Sequence, residues 1–441
     1  MIRFIKKQSP ARLIAFGFLA VIFIGSILLI LPCSVKDGVT VKYIDALYTS
    51  ASAVCVTGLV SVDVGTAFTP LGQFFLAALI QIGGLGVTSI GAGIILAMGK
   101  KLDIKSRMLV QEASNLSAAR NTILFVKNVF IVTVTIELIG AALSFIVLVK
   151  DYPALTALGY SLFHSVAAFN NSGFDNLGHS NDLYSSVSLS SYQSNILFNL
   201  VTCILIFLGG IGFLVIRETI DKRFRWKKLS MQSKVVLSVS AVLIIVGTLL
   251  IKLTENIPWL GAFFLSVSTR TAGFSTYDLG SFSNAGLLVV IMFMIIGASP
   301  GSTGGGIKTS TFFVLLQGIK SAATNKSEKA FKYSIPKEAF KKAAVIILIA
   351  ILVIFFSTYL LLIFEADNQS VGFSDALFEM TSAFGTVGLS TGITSSLSVS
   401  SKLLSMLIMY IGRLGPLTIV TLWYFDKGER AEYPNGNIAI G

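Results

Sequence analysis

The stretch AFGTVGL at residues 383–389 decides the fold, because three similar stretches precede it in the chain. They read AVCVTGL at 53–59, AFNNSGF at 168–174 and STRTAGF at 268–274. Their glycines, Gly58, Gly173, Gly273 and Gly388, are 115, 100 and 115 residues apart. A repeat of this kind outranks any local motif as a guide to architecture. Each copy lies between two long apolar segments, so the repeating unit is a helix, a short re-entrant segment and a helix. Four such units suit an ion pore with fourfold pseudosymmetry.

The composition predicts a polytopic membrane protein. The 441 residues are 54% hydrophobic and only 13% charged, with a mean hydropathy of +0.80, whereas soluble domains carry roughly 25% charged residues. Apolar segments near or above the ~18 residues that cross a bilayer lie at 11–31, 71–98, 129–149, 195–216, 235–252, 285–319, 343–364 and 403–425. Three cysteines and two histidines show neither a disulfide framework nor metal-ligand spacing. We therefore expect an all-α protein with eight transmembrane helices and four re-entrant half-helices around one central pore.

The repeats also predict the domain boundaries and the orientation. Four repeats would occupy residues 1–98, 99–216, 217–319 and 320–425, followed by a tail at 426–441. With the N-terminus inside, the cytosolic segments hold 26 of the 34 lysines and arginines, and the opposite side holds five lysines against 12 acids. This bias places both termini in the cytoplasm. The net charge of +12 then reflects orientation and attraction to anionic lipid rather than nucleic-acid binding. The acidic outer face either concentrates cations at a pore mouth or simply lacks a reason to be basic.

Short segments before the four glycines predict half-crossing helices. They lie at 45–50, 162–165, 261–266 and 375–381 and belong to stretches of about ten mostly apolar residues, half of what a span needs. Half-helices persist at membrane depth only when they are surrounded by protein or line water. If they point inward, their C-terminal partial negative charge favours a cation at the pore centre.

The chain after each half-helix is suited to a selectivity filter made of backbone carbonyls. Glycine permits backbone angles closed to other residues, and rings of carbonyls can replace the hydration shell of a cation. The predicted filter residues are Val56, Thr57, Gly58, Asn171, Ser172, Gly173, Thr271, Ala272, Gly273, Thr386, Val387 and Gly388. Because only backbone need face the axis, we expect the Arg270 side chain to point outward into a pairing network. The alternative is four glycine-capped loops that bind no ion.

The second helix of each unit carries a further motif: QIGGLG at 81–86, FLGGIG at 207–212, IIGAS at 295–299 and YIGRLG at 410–415. Small residues allow close helix packing in lipid. In the third unit this helix is interrupted. Glycine-rich backbone at this depth should line a cavity, and the interrupted segment could act as a gate there. The gate residues are Gly297, Ala298, Ser299, Pro300, Gly301, Ser302, Thr303, Gly304, Gly305 and Gly306, with Lys308 just beyond. The segment lacks the adjacent Gly-Lys of a phosphate loop.

Two further charges fall inside predicted spans. Arg413 lies in the last span, where a charge is costly and points to function. Below a cation filter it would form an electrostatic barrier or pair with the gate residues. For Glu137 in the third span we expect a structural hydrogen-bonding role.

With these residues in view, the chain resembles the Trk/Ktr/HKT superfamily of potassium transporters, and most of all the ion-translocating membrane subunit of a bacterial Ktr potassium uptake system. The motifs that carry the resemblance are IDALY at 44–48, TGL at 57–59, QIGGLG at 81–86, RMLVQEA at 107–113, AFNNSGF at 168–174, RTAGF at 270–274, SAFGTVGL at 382–389, GRLGPLT at 412–418 and the tail with YPNG at 433–436.

The resemblance implies a homodimer in the cell membrane, with one pore per subunit. It also implies a cytosolic partner, an octameric ring of nucleotide-binding regulatory subunits whose ATP or ADP state controls the gate. This chain would then bind no cofactor of its own, and potassium would be its transported ion. Glycine at position 58 goes with potassium in related transporters, and sodium is a possible activator without an identifiable site.

Three rival functions differ in the residues that they need. A transporter of organic solutes binds its substrate at broken helices but does not require four matching half-helices. A membrane enzyme needs converging catalytic side chains in the spans, of which only Glu137 is available. An anion-selective pore calls for basic filter rings, and Arg270 stands alone.

Overall fold

The chain is mostly helical in the computed structural model, which describes residues 10–97, 110, 122–177, 188–325, 328–416 and 418–419. In chain order the helices are α1 (Pro10–Ile30), α2 (Tyr43–Val54), α3 (Val64–Ala67), α4 (Pro70–Leu85), α5 (Val87–Ala97), α6 (Thr122–Leu148), α7 (Ala154–Phe169), α8 (Ile196–Ile211), α9 (Phe213–Asp221), α10 (Met231–Thr254), α11 (Trp259–Ser268), α12 (Asn284–Ile295), α13 (Thr309–Thr324), α14 (Lys337–Phe364), α15 (Phe373–Gly385) and α16 (Val399–Leu414). A hairpin of β1 (Lys329–Ala330) and β2 (Tyr333–Ser334) precedes α14. The motif at 107–113, apart from Val110, and the tail at 426–441 lie outside the described residues.

Four helices, α1, α6, α10 and α14, are long and apolar enough to cross a membrane. Their apolar spans are 20 to 28 residues long, with mean hydropathies of 2.3 to 3.0. Only 28% to 39% of their most apolar windows is buried within the chain, and large side chains such as Ile131 and Phe356 are more than 60% exposed. An apolar surface this extensive needs lipid to cover it. The chain is therefore a multi-pass membrane protein.

Each long helix begins a unit that continues with a shorter helix and then with a third helix. The third helices of the four units are α4, α8, α12 and α16. The shorter helices α2, α7, α11 and α15 contain 12, 16, 10 and 13 residues, so the second is longer than the ten or so residues that the sequence predicts. The third helices begin with a hydroxyl or amide N-cap: Thr69, Asn195, Ser283 and Ser398 each accept a hydrogen bond from a backbone N–H in the first turn. Such caps satisfy donors that a helix N-terminus otherwise leaves unpaired.

Two of the predicted spans, 71–98 and 195–216, are bent rather than straight. Helix α4 meets α5 at an angle of 100°, and α8 meets α9 at 97°. The bends lie at Gly86 and Gly212, whose φ angles of 84° and 91° are easily adopted only by glycine. A third such glycine, Gly415 at φ 88°, caps the end of α16. The described part of the chain thus offers four candidate spans, or six if each bent pair counts as one.

The predicted span 285–319 is interrupted, as the sequence indicates. Helix α12 ends at Ile295 and α13 begins at Thr309. Between them the chain forms a loop, which is closed at its base by a parallel bridge between Ile296 and Ile307. The backbone N–H of Gly297 donates to the Ile307 carbonyl at 2.8 Å. We refer to residues 297–306 as the intramembrane loop.

The first and last parts of the chain are joined by buried polar contacts. Lys402 in α16 forms an ion pair with Asp45 in α2 at 2.8 Å, and both residues are less than 9% exposed. Tyr48 shares a hydrogen bond of 3.1 Å with Ser405 across the same helices. Tyr410 in α16 donates to the Ala15 carbonyl of α1. These links join α16, the last helix of the fourth unit, to α1 and to the first short helix, α2.

Candidate ion pathway

The four segments after the short helices share an unusual backbone conformation. Two residues before each glycine, a non-glycine residue has a positive φ: 56° at Val56, 57° at Asn171, 82° at Thr271 and 49° at Thr386. The glycines themselves have φ angles of 70° to 93°. Positive φ is uncommon for non-glycine residues, above all for β-branched ones, and such strain persists only where the surroundings enforce it. The same strain at the same register, four times over, indicates one shared backbone design.

The four glycines lie against one another in a closed circle. A Cβ atom on each glycine would contact the carbonyl oxygen of the residue before the next one: Ser172 for Gly58, Ala272 for Gly173, Val387 for Gly273 and Thr57 for Gly388. The distance between the two atoms would be 2.9 Å or shorter in every case, which leaves no room for any side chain. Glycine is therefore required at all four positions for the segments to approach this closely. We refer to the four together as the glycine ring.

Hydrogen bonds at the ends of the short helices hold these segments in place. Ser52 accepts from the Gly58 N–H and Ser382 from the Gly388 N–H, both at 3.0 Å. In the first, second and fourth segments the residue before the glycine donates its N–H five positions back along the chain, as Thr57 does to Ser52 at 2.8 Å. In the third segment Ala272 donates only four positions back, to Ser268. The third segment is thus wound differently at its base.

A polar cavity opens directly above the glycine ring. It has a volume of about 290 Å³ and is lined by all four glycines and by Asp63, Asp175 and Asp278. Each of these aspartates also accepts a hydrogen bond from a nearby backbone N–H. Three carboxylates beside one cavity raise the local concentration of cations. This finding favours the first of the two interpretations of the acidic outer face.

In three of the four units a glycine of the recurring motif, in α4, α8 or α16, packs against the end of the short helix of that unit. A Cβ on Gly83 would overlap the Val54 carbonyl, and one on Gly209 would overlap the Phe169 carbonyl. Gly412 stands in the same relation to Phe384. These small residues allow the close approach of helices that the motif predicts, and each brings a third helix directly behind the segment that precedes it in its own unit.

The intramembrane loop lies beneath the glycine ring. The Gly305 N–H donates to the Thr386 hydroxyl at 3.0 Å, and the Thr303 hydroxyl donates to the Phe169 carbonyl at 3.3 Å. A Cβ on Gly304 would overlap the hydroxyl of Thr271. The loop therefore contacts residues at the inner end of the second, third and fourth segments. This position is suited to controlling passage between the ring and the space below.

Lys308 and Arg413 both donate hydrogen bonds to the intramembrane loop. Lys308 Nζ donates to the Gly304 carbonyl at 2.7 Å. Arg413 donates to the Thr303 carbonyl and, on its other side, to the carbonyls of Gly83 and Gly84. The two cations line a cavity of about 200 Å³ below the ring. Arg413 thus pairs with the loop and also places a positive charge on the inner side.

Two other charged residues that the sequence singled out lie behind the ring. Glu137 accepts a hydrogen bond from the Asn170 amide at 3.1 Å, and the same amide donates to Gln81 at 2.7 Å, so Glu137 does take part in a hydrogen-bond network. Arg270 is 7% exposed, and its Nε has no hydrogen-bond partner among the described residues. The expected pairing network for Arg270 is not found within that part of the chain.

Sequence reasoning assigned no role to two buried carboxylates of the short helices. Glu379 in α15 accepts hydrogen bonds from Ser390 at 2.8 Å and from Thr394 at 2.5 Å, two residues that line the upper cavity. Asp45 in α2 forms the ion pair with Lys402 described above. An acidic residue in a mostly apolar half-helix at membrane depth was the signal that could have identified both.

Comparisons with known proteins identify the family of this chain. Residues 10–428 match the family model described as "TrkH: Cation transport protein". The chain belongs to the TrkH family. Its members include relatives at high coverage: it is 37% identical to the Ktr system potassium uptake protein B of Bacillus subtilis, over 99% of this chain and 97% of that protein. It is 35% identical to the potassium/sodium uptake protein NtpJ of Enterococcus hirae, over 99% and 98% of the two chains.

A solved structure shares the fold of this TrkH-family chain. The potassium transporter TrkH from Vibrio parahaemolyticus superposes with a TM-score of 0.70 over 93% of this chain and 86% of that one, at 17% identity. The resemblance to the Trk/Ktr/HKT superfamily inferred from the motifs is confirmed by the family match and by the similarity to the Ktr proteins.

Proposed function

We propose that this chain takes up potassium across the cell membrane through one pore, which is lined by backbone carbonyls of four helix–pore loop–helix units. The observation that carries the proposal is the glycine ring, in which each glycine lies against the carbonyl that precedes the next one. A ring of this kind can replace the hydration shell of a dehydrated cation. The names of relatives that this chain matches along almost its whole length, such as the Ktr system potassium uptake protein B, support potassium as the ion.

In this proposal the filter consists of the twelve residues predicted from the sequence, three from each segment. Potassium would enter through the upper cavity, where three aspartates attract cations. It would then pass the glycine ring and meet the intramembrane loop as a gate, with Lys308 and Arg413 holding the gate closed through its carbonyls. Release of those hydrogen bonds would open the path.

The remaining features of the proposal concern the assembly. The Ktr names of the relatives support a cytosolic regulatory partner, which we propose to be an octameric ring that binds ATP or ADP, and two copies of this chain would form the membrane dimer. Both termini would lie in the cytoplasm, in keeping with the distribution of basic residues. The chain itself would bind no cofactor, and sodium would act as an activator.

A flux assay on the purified chain in proteoliposomes tests the proposal. Potassium, rubidium and sodium gradients are compared in the same preparation, with protein-free vesicles as the control for leakage. Potassium and rubidium should pass well ahead of sodium. Equal passage of all three ions would contradict a carbonyl filter selective for potassium. It would instead favour a mixed activity, as in the name of the related potassium/sodium uptake protein.

A further inference from the structure

Two loops on one face of the molecule meet in a surface of exposed aromatic and basic side chains. One is the loop at 222–230 between α9 and α10, and the other is the β1–β2 hairpin. They touch through the rings of Trp226 and Phe331, whose centroids are 6.2 Å apart at an angle of 76°. The exposed residues of this aromatic–basic surface are Phe224, Trp226, Phe331 and Tyr333 with Arg223, Arg225, Lys227, Lys228, Lys329 and Lys332.

The backbone at both loop tips is bent in the same unusual way. Arg223 and Phe224 have φ angles of 49° and 58°, and Phe331 and Lys332 have 47° and 72°. A two-residue hairpin turn with both φ angles positive normally takes Asn-Gly or a similar pair. Here each tip instead presents one aromatic residue and one cation. Bulky residues held at positive φ cluster where function needs the strained geometry.

Packing among the described residues does not account for these side chains. Phe224 is 78% exposed and Tyr333 is 55% exposed. Among the described residues, no carboxylate forms an ion pair with any of the six cations, although the neighbouring Lys222 pairs with Glu218 and Arg217 with Asp221. Aromatic rings are favoured at the membrane–water interface, and lysines and arginines there are attracted to anionic headgroups. The surface therefore complements an anionic membrane.

Both loops are connected to the intramembrane loop by a single helix each. Helix α9 starts beside the intramembrane loop, where the Phe213 N–H donates to the Gly301 carbonyl at 3.1 Å. It ends at the tip of the 222–230 loop. Helix α13 begins directly after Lys308, which donates to the Gly304 carbonyl, and leads to the hairpin. A displacement of the aromatic–basic surface can thus be transmitted by α9 and α13 to both sides of the intramembrane loop.

We propose that the aromatic–basic surface binds anionic phospholipid headgroups of the cytoplasmic leaflet, and that this binding increases transport through the helices that hold the intramembrane loop. The cations supply the attraction, and the rings anchor the two tips at the interface. An anionic lipid fixes the far ends of α9 and α13 and draws their near ends away from the closed arrangement, in which Lys308 donates to the Gly304 carbonyl. The effect on transport rests on the proposed function, whereas the lipid binding does not.

The binding is tested on the full chain by native mass spectrometry, which counts phosphatidylglycerol molecules retained during titration. The variant Arg225→Gln/Lys332→Gln removes one cation from each tip. Two interfacial cations correspond to roughly a tenfold to thirtyfold loss of affinity. The matched control Lys341→Gln/Lys342→Gln removes the same charge from exposed positions at the start of α14 and should bind as the parent does. Equal losses in both variants, or no loss in either, would overturn the proposal.

The coupling to transport is tested by flux in two kinds of vesicle, one of phosphatidylcholine alone and one with about a third phosphatidylglycerol. The parent chain and the control should transport severalfold faster in the anionic vesicles, and the Arg225→Gln/Lys332→Gln variant should lose that difference. Equal parent flux in both lipids would refute the coupling. If the parent chain shows no flux in both kinds of vesicle, the result would count against the proposed function. The mass spectra would still report on binding. A variant that keeps its lipid but no longer binds the regulatory partner would identify the surface as a protein interface and overturn the proposal.

Discussion

The glycine ring and the intramembrane loop differ in their symmetry, although they lie next to each other on the same proposed path. The ring is built four times from equivalent positions, with the same positive φ two residues before each glycine. The loop is built once, from 297–306, and its described contacts with the four segments are to the second, third and fourth. An ion coordinated by backbone from all sides needs equivalent contributors, whereas a gate needs only one element that can move. In the proposed function, the repeated layer would therefore serve selectivity and the single layer would serve control.

Breaking the ion pair that joins the first and last units should have the largest effect. Asp45→Asn leaves Lys402 buried and unpaired between the first and last units, and removal of one partner of a buried pair typically costs about 3–5 kcal/mol. We expect a clear drop in the melting temperature of the detergent-solubilised protein. The double variant Asp45→Asn/Lys402→Met removes both charges and should recover much of the loss. Equal destabilisation in the single and double variants would show that the ion pair does not stabilise the junction between these units.

A side chain in the ring should alter selectivity next most strongly. Gly58→Ser places a Cβ against the Ser172 carbonyl at a φ of 92°, so the ring must widen there. We expect the potassium-to-sodium flux ratio to fall about tenfold or more, which corresponds to roughly 1.4 kcal/mol. Gly159→Ser is the control, because a Cβ at that helical glycine would meet nothing within 4 Å. An unchanged ratio in Gly58→Ser would remove the main support for a carbonyl filter.

The repeated layer could be predicted from the sequence, and most of the single layer could not. The four glycines and their half-helices recur in register, so one pattern predicts them all. The hydrogen bond from Gly305 to Thr386 joins residues 81 positions apart, and the Asp45–Lys402 pair spans 357. One sequence gives no signal for contacts at such distances. The bends at Gly86 and Gly212 were missed for another reason: in sequence they look the same as glycines that serve helix packing, such as Gly83 and Gly209.

Loosening the intramembrane loop should change flux with little change in selectivity. Thr386→Val keeps the shape of the side chain but leaves the Gly305 N–H without its acceptor, and a buried unpaired donor costs about 1–3 kcal/mol. The closed loop loses that stabilisation, so we expect potassium flux to rise severalfold at an unchanged potassium-to-sodium ratio. Thr381→Val in α15 is the control, because its buried hydroxyl has no partner among the described residues. A change in the flux ratio without a rise in flux would mean that the Thr386 hydroxyl supports the filter and does not hold the intramembrane loop closed.

The smallest expected effect tests whether the repeated layer is energetically as regular as its geometry. Ser52→Ala and Ser382→Ala each remove the hydroxyl that accepts a hydrogen bond from the ring glycine at 3.0 Å. Each should therefore lower stability by about 1 kcal/mol and should reduce the potassium-to-sodium ratio by a similar small factor. Ser144→Ala is the control, since its buried hydroxyl is unpartnered within the described residues. Unequal losses at Ser52 and Ser382 would mean that equivalent hydrogen bonds contribute unequally to stability. The differently wound third segment, where Ala272 donates to Ser268, would then be one instance of a wider asymmetry in the ring.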